Sequence, residues 1–250
     1  MLSENKLLTA RAEDLFRLCD KYSQPQFSHF LNENEQAVLQ REIGDRYGYN
    51  VMYYGGYSEA QRKLFGVFPE WEEPSGKAFP IKTVKITKTY KKELSHRDYL
   101  GSVMSHGITR EQIGDIVIDE NTAYILAMED IADYIALNIT KIGNVGVKAE
   151  GVETDEVITP EIKFKTINTV AASLRLDAVV AAMLNVSRKE SASMILSGNV
   201  SVNHIPSQDT ARQLKTDNVI SVRGFGRYIF EGVHGTTGSG RIHIIIKKYI

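Results

Sequence analysis

A chain with one cysteine has no covalent staple of its own. Cys19 has no second thiol to pair with, so the redox reading is a reducing compartment or no constraint, with Cys19 as a structural, half-buried thiol. Long apolar runs are also missing. None approaches the ~18 residues that span a bilayer, and the N-terminal stretch Met1 to Arg17 alternates charged and apolar residues, unlike a signal peptide. The expected location is the cytoplasm, with no membrane partner. Nor does one sign of charge prevail, with 30 basic against 31 acidic residues. That balance conceals a split. From Ala171 onward, ten Lys and Arg stand against five Asp and Glu, a net of +5, leaving twenty against twenty-six, or −6, in residues 1–170. A basic tail on a less basic body is compatible with a nucleic-acid-binding module, and equally with a solvated mixed surface.

What is present is enough for a core: 42% of the 250 residues are hydrophobic, and two or three small domains are expected. The reading is an α+β chain in three parts. Residues 1–75 form an N-terminal α+β domain. Ala12, Leu15, Phe16, Leu18 and Cys19 share a helical face, and Val38, Leu39, Glu42 and Ile43 continue a second helix after Asn32. A strand around Tyr49 to Tyr54 follows, and Ser58, with Gln61 three residues on, is positioned to cap another helix. Trp71 to Pro80 has the breaker content of a linker. Residues 80–165 read as strand, helix, hairpin, helix, strand, the β-α-β-β-α-β ferredoxin-like plan that many RNA-recognition domains share with domains that never touch RNA. The aromatic-rich strand of a base-stacking module is absent, and Tyr124 reads as a packing or hairpin residue. Gly114 and Asp115 read as a turn before a strand.

Residues 172–250 carry the candidate chemistry. Leu174, Leu176, Val179, Val180, Met183 and Leu184 make the apolar face of one helix, with Arg175 near its start. Ser187 caps a second helix, with Glu190 completing a capping box, so Arg188 and Lys189 fall in its first turn. Cations there oppose the helix dipole at a cost of a few tenths of a kcal/mol each. An anion reverses that sign, because free N–H groups and two cations make a phosphate site; otherwise both side chains project into water. Asn203 either holds its turn or offers an amide to sugar or phosphate. In Arg223-Gly-Phe-Gly-Arg227 the glycines admit close backbone approach, Arg223 and Arg227 each offer a planar fork of donors, and Phe225 either stacks on a base or packs in the core.

These features carry a resemblance. Arg175-Leu-Asp177, Ser187-Arg-Lys, Gly198-Asn-Val-Ser-Val-Asn203 and Asp217 make residues 172–232 resemble the alpha-L RNA-binding domain named for the fourth small-subunit ribosomal protein. Thr216 stands where that family usually has glycine, which bears on the tight turn. The run from His96 to Ile116, together with Arg223 to Arg227, is similar to the YlmH family of bacterial proteins over essentially the full length. That resemblance implies an N-terminal domain, an RRM-like middle domain and a C-terminal RNA-binding domain. It also implies binding to the large ribosomal subunit, its rRNA and tRNA, in the rescue of stalled nascent chains, with genes of cell division as neighbours.

Enzyme signals are weaker. Arg175-Leu-Asp177 resembles the catalytic triplet of pseudouridine synthases, yet here it opens the RNA-binding helix. Gly235 to Gly240 lacks the Lys-Ser/Thr ending of a phosphate loop and reads as a hairpin loop. The histidines have no ligand spacing with cysteine. The expectation is a non-catalytic RNA-binding protein without cofactor or metal, gripping RNA through Arg175, Ser187, Arg188, Lys189, Asn203, Arg223, Phe225 and Arg227. The alternatives are an rRNA-modifying enzyme and an adaptor that binds ribosomal or division proteins.

Overall fold

A computed structural model of the protein describes the backbone of residues 2–44, 48–154, 164–238 and 240–250, and the chain divides into two compact units, Met1–Pro160 and Glu161–Ile250. Among the described residues, no helix is long and apolar enough to cross a membrane.

The first unit opens with α1 (Leu2–Tyr22), β1 (Gln26–Phe27), α2 (Glu33–Ile43), β2 (Tyr49–Tyr54) and β3 (Leu64–Pro69). Asn32 starts α2 as its spacing predicts. Its Oδ1 accepts the Glu35 N–H at 3.0 Å and its own N–H donates to the Glu35 carboxylate at 2.7 Å, which satisfies orphan donors at both positions. The three strands pair in the order β1-β3-β2. Buried at every position, the central strand β3 puts Phe65 and Val67 against Ala12, Phe16, Cys19 and Leu39, and Leu64 and Phe68 against Phe30 and Phe79. A strand covered on both faces shows no polar alternation, so periodicity gave no sign of it.

The helix expected from Ser58 does not form. The side chain of Asp115 takes that segment's donors instead: the Tyr57 hydroxyl at 2.8 Å and the N–H groups of Gln61 and Arg62 at 2.7 and 3.1 Å. A distant carboxylate here outweighs a local capping pattern. Within the stretch Trp71 to Pro80, Phe79 alone is buried, its ring 4.7 Å from that of Phe27, while Trp71 is exposed.

The same unit continues through β4 (Ile81–Lys88), α3 (His96–Met104), β5 (Ile113–Ile118), β6 (Thr122–Met128), α4 (Glu129–Asn138), β7 (Lys141–Ile142) and β8 (Val145–Val152). Their sheet order is β5-β6-β4-β8-β7, all antiparallel, so the four long strands follow the expected ferredoxin-like plan and β7 adds an edge. Val84, Ile86, Ile113, Ile125 and Val145 meet Tyr99, Val103 and Ile135 from the two helices. Gly114 and Asp115 lie inside β5, at a bulge between Ile113 and Ile116, and not in a preceding turn. Tyr124 faces away from the helices yet is buried with Val117 and Leu126, against Tyr57 and Val152.

The second unit comprises β9 (Phe164–Ala171), α5 (Leu176–Leu184), α6 (Arg188–Leu196), β10 (Val200–Val202), β11 (Ile205–Pro206), β12 (Asn218–Val222), β13 (Gly226–Thr236) and β14 (Ile242–Tyr249). They build one six-stranded sheet in the order β11-β10-β12-β13-β14-β9. Both helices lie on one face, where Leu176, Val179, Val180, Met183 and Ile195 meet Val200, Ile220, Val222, Tyr228, Phe230, Ile244 and Ile246. Strand β9 pairs along its length with β14, which brings residues ahead of 172 into this sheet. The turn in question at Thr216 is made with Asp217 in the left-handed region, at φ 65°. Of the Gly235 to Gly240 stretch, Gly235 and Thr236 end β13 and the remainder leads toward β14, with Ser239 outside the described residues.

Gly114 sits against the Phe30 ring. A Cβ there would lie 2.7 Å from Cε1 and 2.9 Å from Cζ of that ring, and 3.2 Å from the Leu126 Cβ. Phe30 and Leu126 are both fully buried, so neither yields easily. Gly114→Ala is expected to lower stability by about 1–3 kcal/mol through overpacking, read as a lower urea midpoint with unchanged slope. An unchanged midpoint would show that the ring has room to move.

Candidate nucleic-acid interface

The two helix starts of the second unit meet at Asp177. Arg175 is the N-cap of α5, and Asp177 lies in its first turn, where a carboxylate suits the dipole. Burial leaves the Asp177 side chain 9% exposed. A carboxylate that dry needs partners, and it has two. Arg175 donates from Nε to Oδ1 at 3.1 Å and from Nη2 to Oδ2 at 3.2 Å, while Arg188, at the start of α6, donates from Nη2 to Oδ2 at 2.7 Å. Burial pushes the Asp177 carboxyl upward, but the hydrogen bonds from Arg175 and Arg188 outweigh that and hold it below the ordinary aspartate value. The same hydrogen bond raises Arg175. Ser191 ties the helices a second time, its hydroxyl donating to the Asp177 carbonyl at 2.7 Å.

Clamping does not remove the arginines from solvent. Their side chains remain 38% and 54% exposed, with N–H groups beyond those used on Asp177. Ser187 accepts the Glu190 N–H at 3.1 Å, the half of the expected capping box that the structure contains. Arg188 and Lys189 therefore occupy the first turn of α6, as the sequence predicts, with Lys189 exposed. Two guanidinium groups and one ammonium stand against Asp177 and Glu190. Asp209 also acts on Arg175, so these three cations face three carboxylates, and an anion docking there meets a helix N-terminus and donors already held in place.

The other predicted residues lie elsewhere. Asn203 and His204 form the two-residue turn between β10 and β11, at φ 50° and 66°, the left-handed pair of a type I′ hairpin. The Asn203 Oδ1 accepts the Val219 N–H at 2.9 Å, so of its two proposed roles the turn-holding one is displayed. Arg223 and Phe225 belong to the β12–β13 turn and Arg227 is the second residue of β13, paired with Ser221; Gly224 and Gly226 take φ of 85° and 107°. The Arg223 N–H donates to the Asn199 carbonyl just past the C-terminus of α6, at 2.9 Å. Arg175, Ser187, Arg188 and Lys189 thus gather at the start of α6 and Arg223, Phe225 and Arg227 lie toward its other end, about 13 Å away along the nine-residue helix, while Asn203 is at the far end of β10 from Arg223 and joins neither group. Phe225 is 41% exposed, and Arg227 lies over the Tyr249 ring, 5.6 Å from its centroid. The sequence reading missed Asp177 as the organiser. The available signal was an aspartate in the first turn of an otherwise apolar helix, two residues after an arginine.

Comparison with known proteins gives three results. Residues 74–156 match the family described as "Putative RNA-binding domain in YlmH", and residues 174–220 match the S4 domain. The chain is 28% identical to Ribosome-associated protein quality control protein P2 of Bacillus subtilis (strain 168), over 93% of this chain and 90% of that one. Cell division protein ylmH from Streptococcus pneumoniae, 24% identical, superposes with a TM-score of 0.53, covering 62% of this chain and 94% of that structure, a likeness of fold.

Because the folded pKa of Asp177 is depressed, the clamp stabilises fully above the unfolded value, about 3.9, and is lost as pH falls through the lower folded value. Asp177→Asn is expected to cost about 1–3 kcal/mol at neutral pH. The gap between wild-type and variant melting temperatures should narrow as the pH is lowered below about 4. A gap that is constant from pH 7 to pH 3 would remove Asp177 from this role.

Proposed function

Because the chain belongs to the YlmH family and carries its RNA-binding domains, we propose that it binds the large ribosomal subunit, through rRNA and tRNA, in quality control of stalled nascent chains. The observation that carries this reading is the cationic start of α6, where Arg175 and Arg188 are oriented by one buried carboxylate beside Lys189. That arrangement suits a phosphate backbone. Guanidinium forks held before binding lose little freedom when a phosphate arrives, and phosphate contacts fix register without reading sequence. The name of the Bacillus subtilis relative, similar over nearly the whole of both chains, supports the ribosomal setting. The role is non-catalytic and cytoplasmic in this reading. Asp177, the residue most like a catalytic carboxylate, has both oxygens bound by arginines, an arrangement that serves structure and not proton transfer. The chain's organisation is read as an N-terminal part, an RRM-like part and the C-terminal RNA-binding part, with Arg223, Phe225 and Arg227 as a second contact group.

The test is the salt dependence of binding to purified large subunits. With Arg175, Arg188 and Lys189 on phosphates, the slope of log affinity against log salt is expected near −2 to −3, at about −0.7 to −0.9 per phosphate. Arg188→Ala with Lys189→Ala should weaken binding by roughly 1–3 kcal/mol and make the slope shallower by about 2, with the fold intact by circular dichroism. A flat salt dependence, or unchanged co-sedimentation of the double variant, would overturn the assignment. Co-sedimentation that survives ribonuclease would point to a protein partner instead.

A further inference from the structure

The outer backbone groups of an edge strand have no ladder partner, and proteins blunt such edges against stray pairing. Most of the described edges here are blunted. Strands β1, β7 and β11 are two residues long, and β11 ends in Pro206. Strand β5 is bulged between Ile113 and Ile116, and its Asp115 is engaged by the loop from Tyr57 to Arg62. Strand β9 carries Lys165 near its start. Strand β2 has none of these devices. It is an edge of the β1-β3-β2 sheet, and its Tyr-Asn-Val-Met-Tyr-Tyr sequence, residues 49–54, pairs with β3 in unbroken register and contains no charge and no proline. From Asn50 to Tyr54, the N–H and C=O groups turned away from β3 meet no backbone hydrogen-bond partner among the described residues. The strand is nevertheless firmly held, with Val51 and Tyr53 against the cluster of Phe16, Phe65 and Val67, and Met52 and Tyr54 against that of Phe68 and Phe79.

The loop after β3 lies at the start of this edge. Asn50 donates from Nδ2 to the carbonyls of Glu70 and Glu72, at 3.1 and 3.0 Å, which folds Glu70-Trp71-Glu72-Glu73 back beside β2. Trp71, the single tryptophan of the chain, is 76% exposed. Asp20, at the end of α1, reaches the same place and accepts the Tyr49 hydroxyl at 2.5 Å. Burial raises the Cys19 thiol, and the charges of Asp20 and Glu72 raise it further, which puts both carboxylates near that one side chain. None of the four carboxylates forms an ion pair among the described residues. The described cations nearest along the chain are Lys21, whose ammonium lies 4.9 Å from the Tyr22 ring centroid, and Lys77. Four carboxylates thus stand against two cations.

An open edge offers ladder hydrogen bonds to any extended chain, and the charge at its start decides which chain. Carboxylates beside an exposed indole favour Lys or Arg, which the ring also attracts through its face. The uncharged β2 of a second copy would bring no cation of its own to that corner. We propose that β2 takes up an extended segment of a partner protein as a fourth strand of its sheet, and that Lys or Arg at one end of that segment meets Trp71 and the carboxylates of Asp20, Glu70, Glu72 and Glu73. This surface precedes both matched domains and is independent of the α6 site.

The test titrates the full chain with short peptides and follows Trp71 emission, to which no other tryptophan contributes. Two probes alternate valine and threonine and carry an arginine pair, at the N-terminus in one and the C-terminus in the other, so that both strand directions are sampled. At least one is expected to bind saturably and shift the emission. The same peptide with its central amides N-methylated keeps its side chains and charge but cannot donate to a ladder, and should bind about tenfold more weakly or less. Glutamates in place of the arginines should abolish binding. Glu70→Gln with Glu72→Gln and Glu73→Gln should weaken the arginine peptide about tenfold, with the urea midpoint unchanged. Arg188→Ala with Lys189→Ala should leave peptide binding as in wild type. Equal binding of the N-methylated peptide would show that no strand is added. Equal binding of the glutamate peptide, or undiminished binding by the glutamine variant, would show that the carboxylates do not select the partner. An emission unchanged by either arginine peptide would remove the site, and a dimer whose formation shifts the emission without peptide would make a second copy the occupant. Each of these results overturns the proposal, and none bears on the α6 site, which is read by RNA binding.

Discussion

The end of the second unit where α5 and α6 begin depends on a carboxylate with almost no water. Asp177 is held where two helices begin, and a charge taken out of water there is tolerated only because Arg175 and Arg188 reach it from both helices. The dependence runs both ways. Without the carboxylate, the two cations would sit side by side at helix starts that already repel positive charge; with it, they become fixed donors with spare N–H groups turned outward. One buried interaction thus joins α5 to α6 and orients the groups assigned to phosphate.

Asp115 plays a comparable part in the first unit. It gathers the Tyr57 hydroxyl and two backbone N–H groups, while Arg62 donates to the carbonyls of Phe30, Arg110 and Ile113. Arg110 adds bonds to the carbonyls of Ile113 and Gly114. Burial lowers both guanidinium groups, Arg110 to about 10, and both remain cationic near neutral pH. This polar seam fixes the loop that carries Tyr57 over Leu126 and Tyr124. The helix-free face of the ferredoxin-like sheet is therefore partly covered by apolar packing.

Local pattern made much of the fold legible. Alternation gave β4 and the β5–β6 hairpin, Asn32 and Ser187 marked helix starts, and Asn203 and Asp217 took the left-handed turn geometry their residue types permit. The errors have specific causes. Strand β3 is apolar on both faces and offers no period to read. The capping pattern at Ser58 lost its donors to Asp115, more than fifty residues away. Strand β9 is paired along its length by β14, its distant partner. In the candidate site, Arg188 and Lys189 were placed correctly in the first turn of α6, whereas Arg223, Phe225 and Arg227 belong to its other end.

What the sequence alone determined is therefore the set of local structures and the residue types at each helix start, because 3.6- and 2-residue periods, caps and turn residues act within a few positions of themselves. It also determined that the C-terminal part is basic. Which cations stand together was decided only by the tertiary structure. The packing of α5 on α6 brought Arg175 and Arg188 to one carboxylate, and the pairing of β9 with β14 set Phe164 against Tyr249. Both are contacts between segments distant in the chain, and the burial that makes them favourable exists only once the core has closed.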